Sequence, residues 1–356
     1  MLISWNVTKV CNLYCKHCYR SSGPDAPTDR ELTTEEGKQL LSEIRKAGFR
    51  LVILSGGEPL MREDLFELIA YASSLGLRTA LGSNGTLITK DVAVRLKAAG
   101  LAGAAISLDS HDPSFHNDFR NRYDAWEKAI EGIRRCQEAE LDVQINMTLS
   151  EDNASHFSAV ADLAEELNVR ALHPFFLVPT GRGTAIEDDM LRQLRYFDVL
   201  RAVLDRGKKS RLDIKPTCAP QFLPMARDME LPMRYTRGCL AGLSYCCILP
   251  DGEVHICPYL PVKAGSVREA PFDEIWRDSE VFNQLRDYSG YGGACGSCSD
   301  IGLCGGCRAR AYRYHNGDYM AEEPWCYKIR TGTSPLTEEE PRQACPSPRP
   351  AKENKR

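Results

Sequence analysis

The chain has 356 residues, 43% of them hydrophobic and 26% charged, with 45 Lys and Arg against 49 Asp and Glu and a formal charge of −4. These proportions describe an ordered globular protein and exclude a fibrous, disordered or uniformly basic one, so no nucleic acid or anionic membrane is an expected partner. No apolar run approaches the roughly 18 residues that span a bilayer, and the opening MLISWNVTKVC lacks the charged flank and apolar stretch of a secretory signal, so a cytoplasmic protein is expected.

Strand-like runs begin at Ile3 (ISWNVT), Leu51 (LVIL), Arg78 (RTAL), Gly103 (GAAISL), Asp142 (DVQINMT) and Arg170 (RALHPFFL), with helical patterns between them. In TTEEGKQLLSEIRKAG, Leu40, Leu41 and Ile44 share a face, and Gly48, Gly76 and Gly100 stand where helix C-caps belong. Strands alternating with helices predict an α/β fold with parallel pairing through right-handed crossovers, curled or open, and chemistry at the carboxyl ends of the strands. Residues 188–210 read as one charged helix leading away from this unit. From Lys215 to about Tyr327 the alternation weakens, and eleven of the fifteen cysteines fall from Cys218 onward. The last stretch is rich in Pro and charge and predicts a disordered tail. The expected organisation is a core over 1–187, a helical linker over 188–214, a cysteine-rich domain over 215–330 and a tail over 331–356.

An odd number of clustered cysteines, with no export signal, argues for metal or iron–sulfur ligation over a disulfide framework. Cys11-Asn12-Leu13-Tyr14-Cys15-Lys16-His17-Cys18 follows the first strand, and its three thiolates can converge on one soft metal centre. A structural zinc wants four protein ligands, and no fourth cysteine lies nearby. A [4Fe–4S] cluster with one open iron needs three, and that iron can chelate the amino and carboxylate groups of S-adenosylmethionine. Further along come Cys239, Gly252-x4-Cys257, Cys295-x2-Cys298-x5-Cys304-x2-Cys307 and Cys326. Zinc ribbons are the alternative reading of such paired knuckles.

With these motifs the sequence resembles the radical S-adenosylmethionine (radical SAM) superfamily: its C-x3-C-x2-C motif matches Cys11, Cys15 and Cys18, and its glycine-rich motif matches Ser55-Gly56-Gly57-Glu58-Pro59. The resemblance implies a partial (β/α)6 barrel in which Gly56 and Gly57 approach the methionine end of the cofactor and Glu58 receives its ammonium. It further implies that Asn84 and Ser107 line the cofactor, Arg120 pairs with its carboxylate, and the His17 backbone lies beside the adenine. Asn84-Gly85 also reads as an ordinary turn, and Asp109 as the cap of one.

The later cysteines resemble the SPASM extension, which binds auxiliary [4Fe–4S] clusters, with one departure: two residues rather than three separate Cys304 and Cys307. The resemblance implies one cluster on Cys295, Cys298, Cys304 and Cys326, and another on Cys239, Cys257 and Cys307 with Cys246 or Cys247 as fourth ligand. A single auxiliary cluster also fits. Cys136 and Cys218 are expected as packed or free thiols, and Cys345 has no assigned role.

KPTCAPQF, TRGCLAGLSYC, CPYLPV, VREAPFDEIW, CGGCRARAY and GDYMAEEPWC together resemble the heme-synthase branch of the family. That branch implies oxidative decarboxylation of two propionates of iron-coproporphyrin III to vinyl groups, giving heme b. Abstraction of a hydrogen atom at a propionate β-carbon, followed by loss of carbon dioxide, releases one electron, for which an auxiliary cluster is an acceptor. An unidentified electron donor and acceptor are expected partners. No acid–base dyad is nominated as catalytic. Arg122, Arg182, Arg234, Arg237, Arg308 and Arg310 are candidates for the substrate carboxylates, and His173, His255 and His315 for its iron. Three alternatives stay open: a related enzyme of nitrite-reductase heme biosynthesis, a SPASM peptide maturase, and a non-catalytic zinc or iron–sulfur protein that has no need of S-adenosylmethionine.

Overall fold

The architecture grows outward from strand β1 (Leu2–Thr8), which buries both faces: Ile3, Trp5 and Val7 on one, and Ser4, Asn6 and Thr8 on the other. In the computed structural model, which describes residues 1–328, β1 pairs in parallel with β2 (Leu51–Gly56). The series continues in sequence order through β3 (Arg78–Ser83), β4 (Gly103–Ser107), β5 (Asp142–Leu149), β6 (Ala171–Phe176) and the short β7 (Asp213–Ile214). Helices α1 (Thr34–Lys46), α2 (Leu65–Ser74), α3 (Lys90–Ala98), α4 (Pro113–Arg120), α5 (Ala125–Glu138) and α6 (Phe157–Glu166) supply the crossovers. The six expected strands are thus all present, in a parallel α/β arrangement.

Helix α7 (Gln193–Lys209) corrects the expectation of a helix leading away. It is the crossover between β6 and β7, and it buries Tyr196, Phe197, Val199, Leu200, Val203 and Leu204 in the main core. Its charges lie on the outer face, where Arg206 pairs with Asp162 and Glu165 of α6.

On its other side β1 pairs in parallel with β8 (Tyr245–Ile248), from which β9 (Glu253–Cys257) and β10 (Leu260–Ser266) continue antiparallel. The cysteine-rich region therefore extends the same ten-stranded sheet, whose edges are β10 and β7. The sheet curls until these ends approach one another: Thr180, just past β6, donates from Oγ1 to the Tyr259 carbonyl in the β9–β10 turn at 3.1 Å. The result is an open barrel with a seam. Helix α8 (Phe222–Asp228) follows β7, and α9 (Phe272–Asp278) packs against α1. The tail over 331–356 and Cys345 lie outside the described residues. Among the described residues no helix is long and apolar enough to cross a membrane.

Arg268, two residues past β10, clamps the extension to the barrel. It grips both carboxylate oxygens of Glu36 (2.8 and 3.0 Å) and the carbonyls of Arg30 and Glu31. Glu36 also closes a capping box with Thr33 at the start of α1. The Arg268 hydrogen bonds and the cap hold its carboxyl down at about 2. A carboxyl depressed in the folded state stabilises above its ordinary pKa and loses that contribution as pH falls through the folded value. Glu36→Gln should therefore be less stable than the parent at neutral pH, by about 1 kcal/mol or less because the pair is over a third exposed. The two proteins should converge between about pH 4.5 and 2, as read by urea unfolding across that window.

Candidate functional site

The carboxyl ends of β1 and β2 meet at a close backbone crossing. Gly57 N–H donates to the Thr8 carbonyl and Glu58 N–H to the Val10 carbonyl, each at 2.8 Å. A Cβ on Gly56, whose φ is +130°, would stand 2.3 Å from the Thr8 oxygen, and one on Gly57 would stand 2.1 Å from the Val10 oxygen. The paired glycines are thus required by the chain leaving β1, which they seat directly before Cys11. Gly57→Ala must push that chain outward; a stability loss of about 1–3 kcal/mol, with loss of the iron bound by the Cys11 loop, is expected from unfolding and iron assays.

Further backbone bonds fix the cysteine loop: Cys11 N–H to the Gly23 carbonyl, Lys16 N–H to that of Phe119, and Arg182 N–H to that of Cys18. Cys11, Leu13 and Cys15 form a small buried cluster of their own, with Cys18 packed against it. Asn84 Nδ2 lies 3.9 Å from Cys11 Sγ and 2.9 Å from Asn12 Oδ1. Arg120 Nη1 lies 3.8 Å from Cys15 Sγ, while its Nε donates to Asp109 Oδ2 at 2.6 Å. Burial alone would raise the Asp109 carboxyl, but Arg120 holds it well below the usual carboxylate range. Ser107 is half-buried at the end of β4, opposite Asn146 of β5.

The donor set fits the group that the sequence implies. Burial pushes the Cys11 thiol up to about 12 and raises Cys15, so these sulfurs become thiolates only beside added positive charge, which iron supplies. Glu58 is fully buried, and burial pushes its carboxyl up to about 7 despite donors from Asn84 N, Ser83 Oγ and Leu60 N. A cationic amine would reverse that shift. His17, stacked on Phe119 with ring centroids 4.1 Å apart, has a buried Nδ1 without a partner, as does Nη2 of Arg182. Polar atoms around the loop are thus left for a polar ligand. Among the described residues no three His, Cys, Asp or Glu side chains stand together as ligands of a single metal ion.

The later cysteines form two groups. Cys304 is within electrostatic reach of Cys295 and Cys326, and Cys298 lies one turn past Cys295, accepting from the Asp300 amide at 3.4 Å. Cys257 is within reach of Cys307, Cys239 and Cys218, and Cys218 of Cys307 and Cys239. Cys218 follows β7, Cys257 ends β9, and their group therefore bridges the barrel seam. Burial raises the thiols of Cys218, Cys257, Cys304 and Cys307.

This grouping corrects the fourth-ligand expectation. Cys246 is buried on β8 beside Cys247, with Arg286 as its charged neighbour, and Cys247 sits by Ser4 and Arg20. Neither joins Cys239, Cys257 and Cys307; Cys218, read from the sequence as a packed or free thiol, does. Its φ of +59° is a conformation that a non-glycine residue seldom adopts without a compensating constraint. Cys136 is a buried core thiol, as expected.

The arginine candidates separate in the same way. Arg122 is held by Asp124, and Arg237 by the carbonyls of Cys239 and Gly302. Arg308 and Arg310 are fully buried among the later cysteines, against Cys295 Sγ and the Cys218 carbonyl. Arg182 donates to the Cys15 carbonyl, and Arg234 is exposed. Of the histidines, His255 pairs with Glu253, whereas His173 is braced at Nδ1 by Gln144, which also holds Asn146. Lys215 lies within electrostatic reach of both His173 and Cys218.

Comparison with known proteins agrees with this geometry. The radical SAM superfamily model matches residues 5–164, and the SPASM iron–sulfur cluster-binding domain model matches residues 239–308. The AdoMet-dependent heme synthase of Nitratidesulfovibrio vulgaris is 41% identical over 345 residues, covering 93% of this chain and 94% of its own. The protein of the same name from Methanosarcina barkeri is 41% identical over 337 residues, covering 91% and 95%. The fold is shared with Streptococcus suis SuiB bound to S-adenosylmethionine, at a TM-score of 0.73 and 17% identity over 92% of this chain and 77% of that one.

Proposed function

The chain belongs to the radical SAM superfamily and carries its SPASM extension, and from that premise we propose that it converts two propionates of iron-coproporphyrin III to vinyl groups by oxidative decarboxylation, yielding heme b. The protein is an enzyme whose cofactors are a [4Fe–4S] cluster with S-adenosylmethionine and auxiliary iron–sulfur clusters. The observation that carries the substrate reading is the 41% identity to AdoMet-dependent heme synthases across more than nine-tenths of each chain.

A cluster held at the end of β1 would, together with S-adenosylmethionine, supply the chemistry for removing a hydrogen atom from an unactivated carbon. The residues present have complementary tasks. Cys11, Cys15 and Cys18 hold the cluster, Glu58 receives the cofactor's amine, and Arg120, oriented by Asp109, presents a guanidinium beside Cys15. Asn84 braces the loop through Asn12, and the half-buried Ser107 lines the cofactor from β4. Cys218, Cys239, Cys257 and Cys307 hold one auxiliary cluster across the seam, and Cys295, Cys298, Cys304 and Cys326 hold the second. Arg182, beside the first cysteine loop, and Lys215, near Cys218 at the seam, supply positive charge for propionates.

The test is an anaerobic incubation of the iron-reconstituted protein with reductant, S-adenosylmethionine and iron-coproporphyrin III, followed by mass spectrometry. Loss of two carboxyl groups, with one 5′-deoxyadenosine formed per vinyl, is the expected result. Formation of 5′-deoxyadenosine with unchanged porphyrin would remove this substrate.

A further inference from the structure

Three buried charges join the two groups of later cysteines, although Arg and Glu are ordinarily surface residues. Arg310, with no exposed surface, pairs with Glu323, 1% exposed: Nε to Oε1 at 2.8 Å and Nη2 to Oε2 at 3.0 Å. Glu323 touches both groups, because its Oε2 accepts from the Cys307 amide at 2.5 Å and its own amide donates to Cys295 Sγ at 3.3 Å. Within this pair the charges cancel.

Arg308 is different. It is 2% exposed, its Nη1 donates to the Tyr319 and Ala321 carbonyls at 3.1 and 2.7 Å, and its Nη2 reaches Cys295 Sγ at 3.6 Å. Its guanidinium lies over the Tyr291 ring at 4.8 Å. Among the described residues no carboxylate lies within ion-pair distance of it. Glu323, already paired with Arg310, and Cys239 lie within electrostatic reach of Arg308, but the sulfur its guanidinium contacts is that of Cys295, so a negative charge gathered there is the one it meets directly. Arg120 provides the contrast, because it also approaches a thiol, Cys15, yet its charge is matched by Asp109.

We propose that Arg308 is a positioning residue that makes the cluster on the Cys295 side the higher-potential of the two auxiliary centres, and so the one on which an electron comes to rest. The inference rests on the ligand groups assigned above. Adding an electron makes a cluster more negative; a buried cation in hydrogen-bond contact with its sulfur, and in no direct ion pair, stabilises that form, and net charge and hydrogen bonds to sulfur set such potentials. The cluster on the Cys239 side has the neutral Arg310–Glu323 pair beside Cys307 instead. An electron given up by substrate to either auxiliary cluster would therefore settle on the Cys295-side cluster, reducing it by one electron. It then leaves to an external one-electron acceptor.

The test is an EPR-monitored anaerobic redox titration of the full-length, iron-loaded protein without porphyrin, so it stands apart from the reaction proposed above. Two auxiliary signals are expected to titrate separately, and Cys298→Ser should alter the higher-potential one. Arg308→Gln should lower that potential by a factor of ten or more in the reduction equilibrium, about 59 mV for one electron, while Arg308→Lys stays near the parent. The proposal is overturned if Cys298→Ser alters the lower-potential signal, or if Arg308→Gln keeps its full iron and titrates with the parent. Should Arg308→Gln shed iron, the order of the two signals identified by Cys298→Ser decides the matter.

Discussion

Cys15→Ala is expected to abolish reductive cleavage of S-adenosylmethionine, taking 5′-deoxyadenosine below detection, while the iron held by the later cysteines is retained. Cys15 lies buried between Cys11 and Cys18, in a loop pinned by backbone bonds to Gly23, Phe119 and Arg182. Two thiols cannot retain a centre that three hold with one iron left open, so bound iron should fall by about four per chain. Because the later groups lie across the seam and draw on none of these residues, their absorbance and EPR signals should persist. Cofactor cleavage surviving in Cys15→Ala would overturn the ligand assignment.

The second large effect is on stability. Asp109 is wholly buried, accepts from Arg120 Nε and from the Thr148 amide at 2.9 Å, and its carbonyl accepts from Asn153. Asp109→Asn removes the charge and leaves the Arg120 guanidinium desolvated without its hydrogen-bonded anion. Breaking a buried pair from one side costs about 3–5 kcal/mol, a large share of the stability of an ordinary domain. A lowered urea midpoint is expected, with part of the loss recovered in the double variant carrying Arg120→Gln as well. A single variant within about 1 kcal/mol of the parent would show that the pair is not the structural centre of this site.

The strand pattern was legible because β1 to β6 are short, β-rich and separated by amphipathic helices, and Cys11, Cys15 and Cys18 announce themselves by local spacing. What escaped was non-local. Cys218 has no cysteine within twenty residues in sequence, and only the seam brings it to Cys239, Cys257 and Cys307; a local pattern cannot encode a contact made by curling a sheet. Helix α7 was misjudged for a different reason. Its frequent Arg, Lys and Asp mask a stripe of Tyr196, Leu200, Val203 and Leu204 at helical spacing, which a face-by-face reading would have found. Arg308 and Arg310 read as candidates for substrate carboxylates, and nothing in RARAY shows that small alanines let both sink beside sulfur.

The seam also dictates an order of biosynthesis. Cys11, Cys15 and Cys18 are near neighbours on the chain, so their loop closes at little entropic cost once Arg182, the last residue that pins it, has emerged. The seam group reaches from Cys218 to Cys307 and cannot exist until the ribosome has passed the last of them. A nascent chain arrested between these points would carry a receptor for one cluster on a barrel still unfastened at its edge.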